Sequence, residues 1–364
     1  VVANSDGTGS AITDAASVYL GNTLYITFAH SITGGTTVVD KTIPYAVTKN
    51  GTYTFTVTGT VNGKSYTKNV SVTVNQFKTA KDYVAANVEV TYPDGKVWIP
   101  EGFKVAEDSA STVQGGVVIE DKDGNQFVWV PVATIADYKR TWYTGDGSFS
   151  DYSEALPEDE KTSVERYKGF YIGRYEAGDK ESTGTTKATF RTSSSDKSNS
   201  VTIKADQVPY NYVTRTRAIS LAEGFKTQQG YKAKTKLVSS YAWDTTIAFI
   251  EKTVNNYGSS SSQGNYYDTS VTYKDITDES KPEKTKAENS SLLVATGQTT
   301  PVCNIYDMGG NVHEWTTESY SDTSSPYAVR GGGFNYFASN PAGYRSYDLD
   351  TARGSSGFRL TLFM

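Results

Sequence analysis

The residue types that most often carry chemistry are scarce in this chain and scattered along it. A single cysteine, Cys303, excludes an internal disulfide, a thiolate zinc cage and a Cys-x-x-Cys redox pair. Two histidines, His30 and His313, exclude most histidine-based metal catalysis. His313 is followed by Glu314, a pairing suited to acid–base work, but no nucleophile has a motif around it. Gly59-Thr-Val-Asn-Gly63-Lys64-Ser65 is one residue short of a phosphate-cradling loop and sits in an expected hairpin, so it reads as a turn. Asp121, Asp123 and Asn125 have the spacing of the first ligands of a calcium loop. The twelfth position from Asp121 is Val132 rather than Glu, which again makes a plain turn. Arg330, Arg345, Arg353 and Arg359 offer phosphate or sulfate contacts. The glycines and strand context around Arg330 and Arg359 favour internal salt bridges or carbonyl contacts for those two.

The elements that must position these residues read mainly as strands. Leu24, Ile26 and Phe28 alternate on one face after Val18. A run from Thr36 to Val47 follows the Gly34-Gly35 turn. Tyr53, Phe55 and Val57 are separated by the Asn62-Gly63 turn from Val70, Val72 and Val74. Period-two alternation with Asn-Gly between runs is a hairpin signal. Residues 1–77 are therefore expected to form an all-β immunoglobulin-like sandwich, held by packing alone because the usual cysteine pair is missing. Residues 78–94 are expected to be a linker or bridging segment with some helix. From 95 to 364 the pattern predicts an α+β domain. Its strands include Phe127-Val-Trp-Val130 and Gly169 to Glu176, with a hairpin over Asp123-Gly124. Trp243, Ile247, Ile250 and Val254 fall at helical spacing after Ser239 or Ser240 as N-cap, and a shorter helix is expected over Thr216 to Glu223. Residues 193–200, 259–264 and 275–289 read as solvated loops.

Length and composition bound the function. At roughly 150 residues per domain, 364 residues allow two or three domains. A net charge of −5 offers no footprint for nucleic acid or an anionic membrane. No apolar run is long enough for a membrane span, and no targeting signal opens the chain. The 27 tyrosines and 32 glycines against 2 methionines point to β-structure with tyrosine-bearing surfaces.

Three blocks near the C-terminus carry a family resemblance: Asn304-Ile-Tyr-Asp-Met-Gly-Gly-Asn-Val-His-Glu-Trp-Thr316, Val329-Arg-Gly-Gly-Gly-Phe334 and Gly357-Phe-Arg-Leu360. In this order they resemble the formylglycine-generating-enzyme branch of the C-type lectin fold. Phe127 to Pro131 and Phe170 to Glu176 look like that branch's early strands. The resemblance implies a C-type lectin fold over roughly residues 95 to 362. Its oxidase members use paired cysteines, and a related branch uses several histidines as iron ligands; this chain supplies neither set. It also implies that Gly310, Asn311, Val312 and Glu314 stand where the family holds calcium. A hydrogen-bonded corner is the role taken for them here, so no cofactor is expected and calcium is the one candidate ion.

The stretch from Arg330 to Arg359 further resembles the variable region of diversity-generating retroelement proteins, in which template Asn codons are mutated at adenines. That implies Arg330, Gly331, Gly332, Gly357, Phe358 and Arg359 as scaffold. Phe334, Tyr336, Phe337, Ser339, Tyr344, Ser346, Tyr347, Asp348, Leu349, Asp350, Ser355 and Ser356 become ligand contacts. Randomising both adenines of AAC or AAT cannot yield Lys, Glu, Gln, Met or Trp. These five types make up 57 of 364 residues, yet none occurs in the 45 residues from Ser319 to Phe363, where roughly seven would be expected at that rate. Tyr and Phe supply rigid contact area and Ser and Gly adaptable polar contacts, as in antibody paratopes.

The sequence thus predicts a non-enzymatic receptor-binding or adhesion protein on a cell surface or a phage or viral tail. Its partner would be a protein or glycan on a target surface, with neither nucleic-acid binding nor membrane insertion, and with oligomeric display as an aid to avidity. The alternatives are a formylglycine-generating-enzyme-like oxidoreductase and an invariant calcium-dependent carbohydrate-binding lectin.

Overall fold

A computed structural model describes residues 19–20, 24–47, 51–74, 77–78, 83–143, 151–179, 190, 192–193, 199–260, 264–276 and 283–364. The expectations placed on 1–18, 21–23, 48–50, 75–76, 79–82, 194–198, 261–263 and 277–282 lie outside those residues.

The N-terminal strands build small antiparallel sheets around Phe55. Leu24–Ile26 pairs with Tyr45–Val47, and Thr36–Val39, Gly51–Val61 and Lys64–Val74 form a second sheet. Ile26, Val47, Phe55 and Val74 are the buried core, a two-sheet arrangement with no cysteine in it. The two residues between Gly51–Val61 and Lys64–Val74 are Asn62 and Gly63, at φ +50° and +74°. These are the left-handed conformations that a tight hairpin turn requires, and they make Gly59 to Ser65 the end of a hairpin, paired strand on both sides of Asn62-Gly63.

The segment expected to be a linker is instead part of the second core. Val88–Tyr92 pairs with Gly95–Ile99 through the Pro93-Asp94 turn, and Val84, Val90 and Tyr92 pack into the large apolar cluster. The alternating valines and tyrosine of Val88 to Tyr92 are a strand pattern; the charged residues upstream obscured it.

That cluster and a second one cover the two faces of a six-stranded sheet. Its order is Lys104–Val105, Val118–Glu120, Gln126–Pro131, Gly169–Gly173, Leu360–Phe363 and Lys234–Leu237, each neighbour antiparallel. Phe127, Trp129 and Tyr171 point to one side, while Val128, Val130, Phe170 and Ile172 point to the other. Burial on both faces explains why Phe127 to Val130 is a continuous apolar run rather than an alternating one.

Among the described residues three α-helices pack around this sheet: α1 (Glu158–Tyr167), α2 (Arg215–Gln229) and α3 (Ser240–Glu251). The sequence did not reveal α1, whose buried side includes Glu160 and Ser163 beside Val164 and Tyr167. Helix α2 extends beyond the expected Glu223 to Gly230, which closes it in a left-handed conformation. Helix α3 begins where expected. Ser239 accepts a hydrogen bond from the Ala242 amide at 3.1 Å and donates to Glu160 at 2.7 Å. Part of the expected 275–289 loop is folded: Lys284–Lys286 pairs with Val271–Tyr273, and Lys286 is buried.

A second sheet carries the C-terminal blocks. Tyr152–Ser153, His313–Tyr320, Tyr327–Arg330 and Arg345–Asp348 are antiparallel in that order, and Ser356–Phe358 runs parallel to His313–Tyr320. The two arms of the expected variable region are therefore stitched into one sheet at both ends.

Because Ser239 both caps α3 and satisfies buried Glu160, Ser239→Ala is predicted to lower unfolding free energy by about 2 kcal/mol in chemical denaturation. A loss below about 0.5 kcal/mol would contradict that dual role.

Candidate functional site

Two buried charge clusters hold the blocks that frame residues 330–359. In the first, the Arg330 guanidinium donates to Asp244 Oδ1 at 2.7 Å and to the Gly343 and Tyr344 carbonyls at 2.9 and 3.2 Å. Arg345 donates to Asp244 Oδ2 at 2.5 Å, to Glu318 Oε2 at 3.0 Å and to the Thr141 carbonyl at 3.1 Å. Arg140 adds a third cation on Glu318. The side chains of Arg330, Arg345, Asp244 and Glu318 are all fully buried. Helix α3 supplies Asp244, and the strand His313–Tyr320 supplies Glu318. Arg345, whose residue type first suggested anion binding, is thus internal, and so are Arg330 and Arg359. Arg353 is exposed and pairs with Asp348 at 2.9 Å.

The second cluster centres on Arg359, which donates to both oxygens of Glu314 at 3.0 and 3.1 Å through Nε, and to Oε1 at 2.7 Å through Nη2. Its remaining donors reach the carbonyls of Gly173 and Tyr306. Beside it, Glu176 accepts from the Val312 amide at 3.0 Å and from Asn311 Nδ2 at 2.7 Å. Asn311 is held at φ +59° and accepts from Asn265 at 3.0 Å. Burial pushes the Glu176 and Asp307 carboxyls up, and raises Glu314 to about 7 against the pull of Arg359.

This hydrogen-bonded corner tests the calcium positions. The Glu314 carboxylate is consumed by Arg359, the Asn311 side chain bridges Glu176 and Asn265, and the Val312 amide faces Glu176. A cation there would sit against a buried guanidinium, so Gly310, Asn311, Val312 and Glu314 do not fit calcium in this arrangement. Among the described residues no cluster of three His, Cys, Asp or Glu is placed to hold a metal ion. Asp121 likewise serves a turn: its carboxylate accepts from the Asp123 and Asn125 amides at 2.9 and 2.7 Å.

Between the two clusters the chain turns outward. Tyr336 (41% exposed), Phe337 (55%), Tyr347 (57%) and Leu349 (43%) are open to solvent, while Arg330, Gly331, Gly332, Gly357, Phe358 and Arg359 are buried. Gly331 and Gly332 take φ +85° and +69°. An added Cβ at Gly332 would meet the Asn340 carbonyl oxygen at 2.4 Å, so the outward turn requires glycine there. Ser339 is exposed; Phe334, Tyr344, Ser346, Asp348 and Ser355 are half-buried. Two expected contacts have other work. Ser356 is buried in the strand that pairs with His313, which removes it from the surface set. Asp350 accepts from the Thr216 amide at 3.1 Å and from its hydroxyl, holding the first turn of α2.

The exposed rings rest on partners that the sequence reading missed. Tyr267 packs edge-on to Phe337 at 5.3 Å, and its amide donates to the Tyr336 carbonyl at 2.8 Å. Asp268 accepts from the Ala338 amide at 2.8 Å. Behind them, the Lys286 ammonium is held by the carbonyls of Tyr266, Thr269 and Ser290 at 2.7, 2.5 and 3.1 Å. Tyr347 stacks on Tyr320 at 5.1 Å, and Tyr320 meets Tyr152 at 4.8 Å with the rings tilted by 48°. Alternation in Glu318-Ser-Tyr320 was the available signal for Tyr320; nothing local marked Tyr267.

The family model for the sulfatase-modifying factor enzyme 1-like domain matches residues 94–362. The chain belongs to that family. Residues 94–362 accordingly have a C-type lectin-like fold, mostly β with few helices, as the three blocks implied. Among solved structures the chain is similar to CarF, at 15% identity and a TM-score of 0.34, over 62% of this chain and 99% of that one. A comparison with curated proteins returns no match. Sulfatase-modifying factor chemistry of the paired-cysteine kind finds only Cys303 here. Its thiol is buried, hydrogen-bonded to Thr253 at 3.4 Å and pushed up by desolvation.

His313 is equally withdrawn. It is 3% exposed, neither ring nitrogen meets a hydrogen-bond partner among the described residues, and burial lowers it to about 4. The Tyr336 ring covers it at 4.4 Å. A neutral imidazole in the fold that protonates near 6.5 when unfolded stabilises the protein above that pH. The contribution is lost as pH falls from 6.5 through about 4, and amounts to on the order of 3 kcal/mol. His313→Phe is predicted to shrink the fall in thermal midpoint between pH 6.5 and 4; an identical fall in both proteins would refute it.

Proposed function

We propose that the chain is a non-enzymatic ligand-binding protein whose lectin-type domain presents an exposed face, diversified at its coding sequence, to a protein or glycan on a target surface. The observation that carries this reading is a segregation. Among the described residues, eight large apolar side chains are exposed, and four of them, Tyr336, Phe337, Tyr347 and Leu349, fall within 14 residues of sequence between two buried glycine–arginine blocks. Exposed aromatics outside the core mark interaction surfaces more often than scattered polar residues do. That segment lies within the 45 residues from Ser319 to Phe363 that lack the five residue types adenine-directed mutation of Asn codons cannot write; residues 1–40 lack them too, so the absence supports the reading only together with the exposed rings.

Such a binder works where targets are displayed, on a cell surface or a phage or viral tail. No helix among the described residues is long and apolar enough to cross a membrane. The oxidoreductase alternative lacks a second cysteine, and the calcium-dependent lectin alternative asks for a Glu314 carboxylate that Arg359 already holds.

The test is the DNA. The genomic neighbourhood is predicted to contain a second copy of the codons for residues 334–356 that differs from the gene only at adenines. A complete neighbourhood without such a copy would defeat the retroelement reading.

A further inference from the structure

The structure points to a second ligand site, separate from the exposed loops. A cleft of about 520 Å³ opens between the Val88–Tyr92/Gly95–Ile99 hairpin, the end of α1 and the turn after α3. We propose that it binds an anionic saccharide, a chain whose sugar rings carry sulfate or carboxylate groups.

The charge balance of the cleft runs against that of the protein. The whole chain carries −5, yet the lining has four cations, Lys96, Arg166, Lys168 and Lys252, and two carboxylates, Glu89 and Asp94. One carboxylate has other work: Asp94 accepts from the amides of Val113 and Gln114 at 2.7 and 2.9 Å. The other, Glu89, pairs with Lys96 at 2.7 Å. Three cations therefore face the space with no carboxylate partner in its lining; outside it, Lys252 acts on exposed Asp137. The four cations exceed the two carboxylates by two, and a concave site with a net positive lining favours anionic ligands.

The aromatic lining narrows the ligand class. Trp98 and Tyr167 also line the cleft, packed edge-to-face at 5.3 Å, and the Arg166 guanidinium lies 5.1 Å from the centre of the Tyr167 ring. The guanidinium is thus pre-placed by its ring contact, at little further entropic cost for binding. A simple anion would use the cations and ignore the rings. A charged sugar chain uses both, laying the apolar face of a ring on the indole while its acidic groups reach the three side chains.

The full chain, titrated by calorimetry in 50 mM NaCl, tests this with four probes: a heparin-derived hexasaccharide, a hexagalacturonate, maltohexaose and sodium sulfate. The charged hexasaccharides are expected to bind, maltohexaose not to bind, and sulfate to bind at least tenfold more weakly. Binding is expected to fall about tenfold at 300 mM NaCl. The exposed substitutions Arg166→Ala and Lys168→Asn should each weaken it severalfold; Asn tolerates the left-handed backbone at 168, φ +60°. Tyr347→Ala should leave it unchanged. Absence of binding, sulfate binding as tightly as the hexasaccharides, or indifference to the paired Arg166→Ala and Lys168→Asn change would each overturn the proposal. Loss through Tyr347→Ala would also overturn it, by assigning the sugar to the exposed loops.

Discussion

Arg330 and Arg345 are fully buried side chains held against two equally buried carboxylates, Asp244 and Glu318. Desolvating such groups is costly, and the cost is met only while every charge keeps its partner and its hydrogen bonds; removing one member of such a cluster typically costs 3–5 kcal/mol. The geometry of the C-terminal region follows from that constraint. Arg330 closes one end of the outward excursion, and Arg345 starts the strand that brings the chain back. Because both lean on Asp244 of α3, the loops between them leave and return at fixed places.

The Arg359–Glu314 pair does the same at the far end, fixing Ser356–Phe358 beside His313–Tyr320. Between the clamps, Tyr336, Phe337, Tyr347 and Leu349 keep about half of their surface in solvent and lie outside the apolar core clusters, so their replacement changes what the protein touches at a smaller cost to folding than replacement of the buried arginines. The half-buried members are a compromise: Asp348 is tied to Arg353, and Asp350 to α2. A binding face of this kind keeps its backbone while its chemistry changes.

Much of this was legible locally. The Asn62-Gly63 hairpin, the doubly buried run Phe127 to Val130, the Ser239 cap and the glycine–arginine blocks all announce themselves through residue type and spacing. What stayed hidden depends on distant partners. Asp244 sits inside the apolar stripe of α3, a polar residue whose meaning appears only with Arg330 and Arg345 beside it. Lys286 lies in a charged run that reads as solvated, yet its ammonium is wrapped by backbone carbonyls. Tyr267 meets Phe337 across 70 residues of sequence. Ser356 looked like one more adjustable serine until the parallel pairing with His313 buried it.

The central claim is that rigid buried charges and variable exposed contacts are separable properties of one segment. A saturation substitution scan of residues 330–359, displayed on cells and selected for protease resistance, measures this most directly. The account predicts broad tolerance at Tyr336, Phe337, Ser339, Tyr347 and Leu349, and rejection of nearly every change at Arg330, Gly332, Arg345, Ser356 and Arg359. Equal sensitivity at the two sets of positions would contradict it.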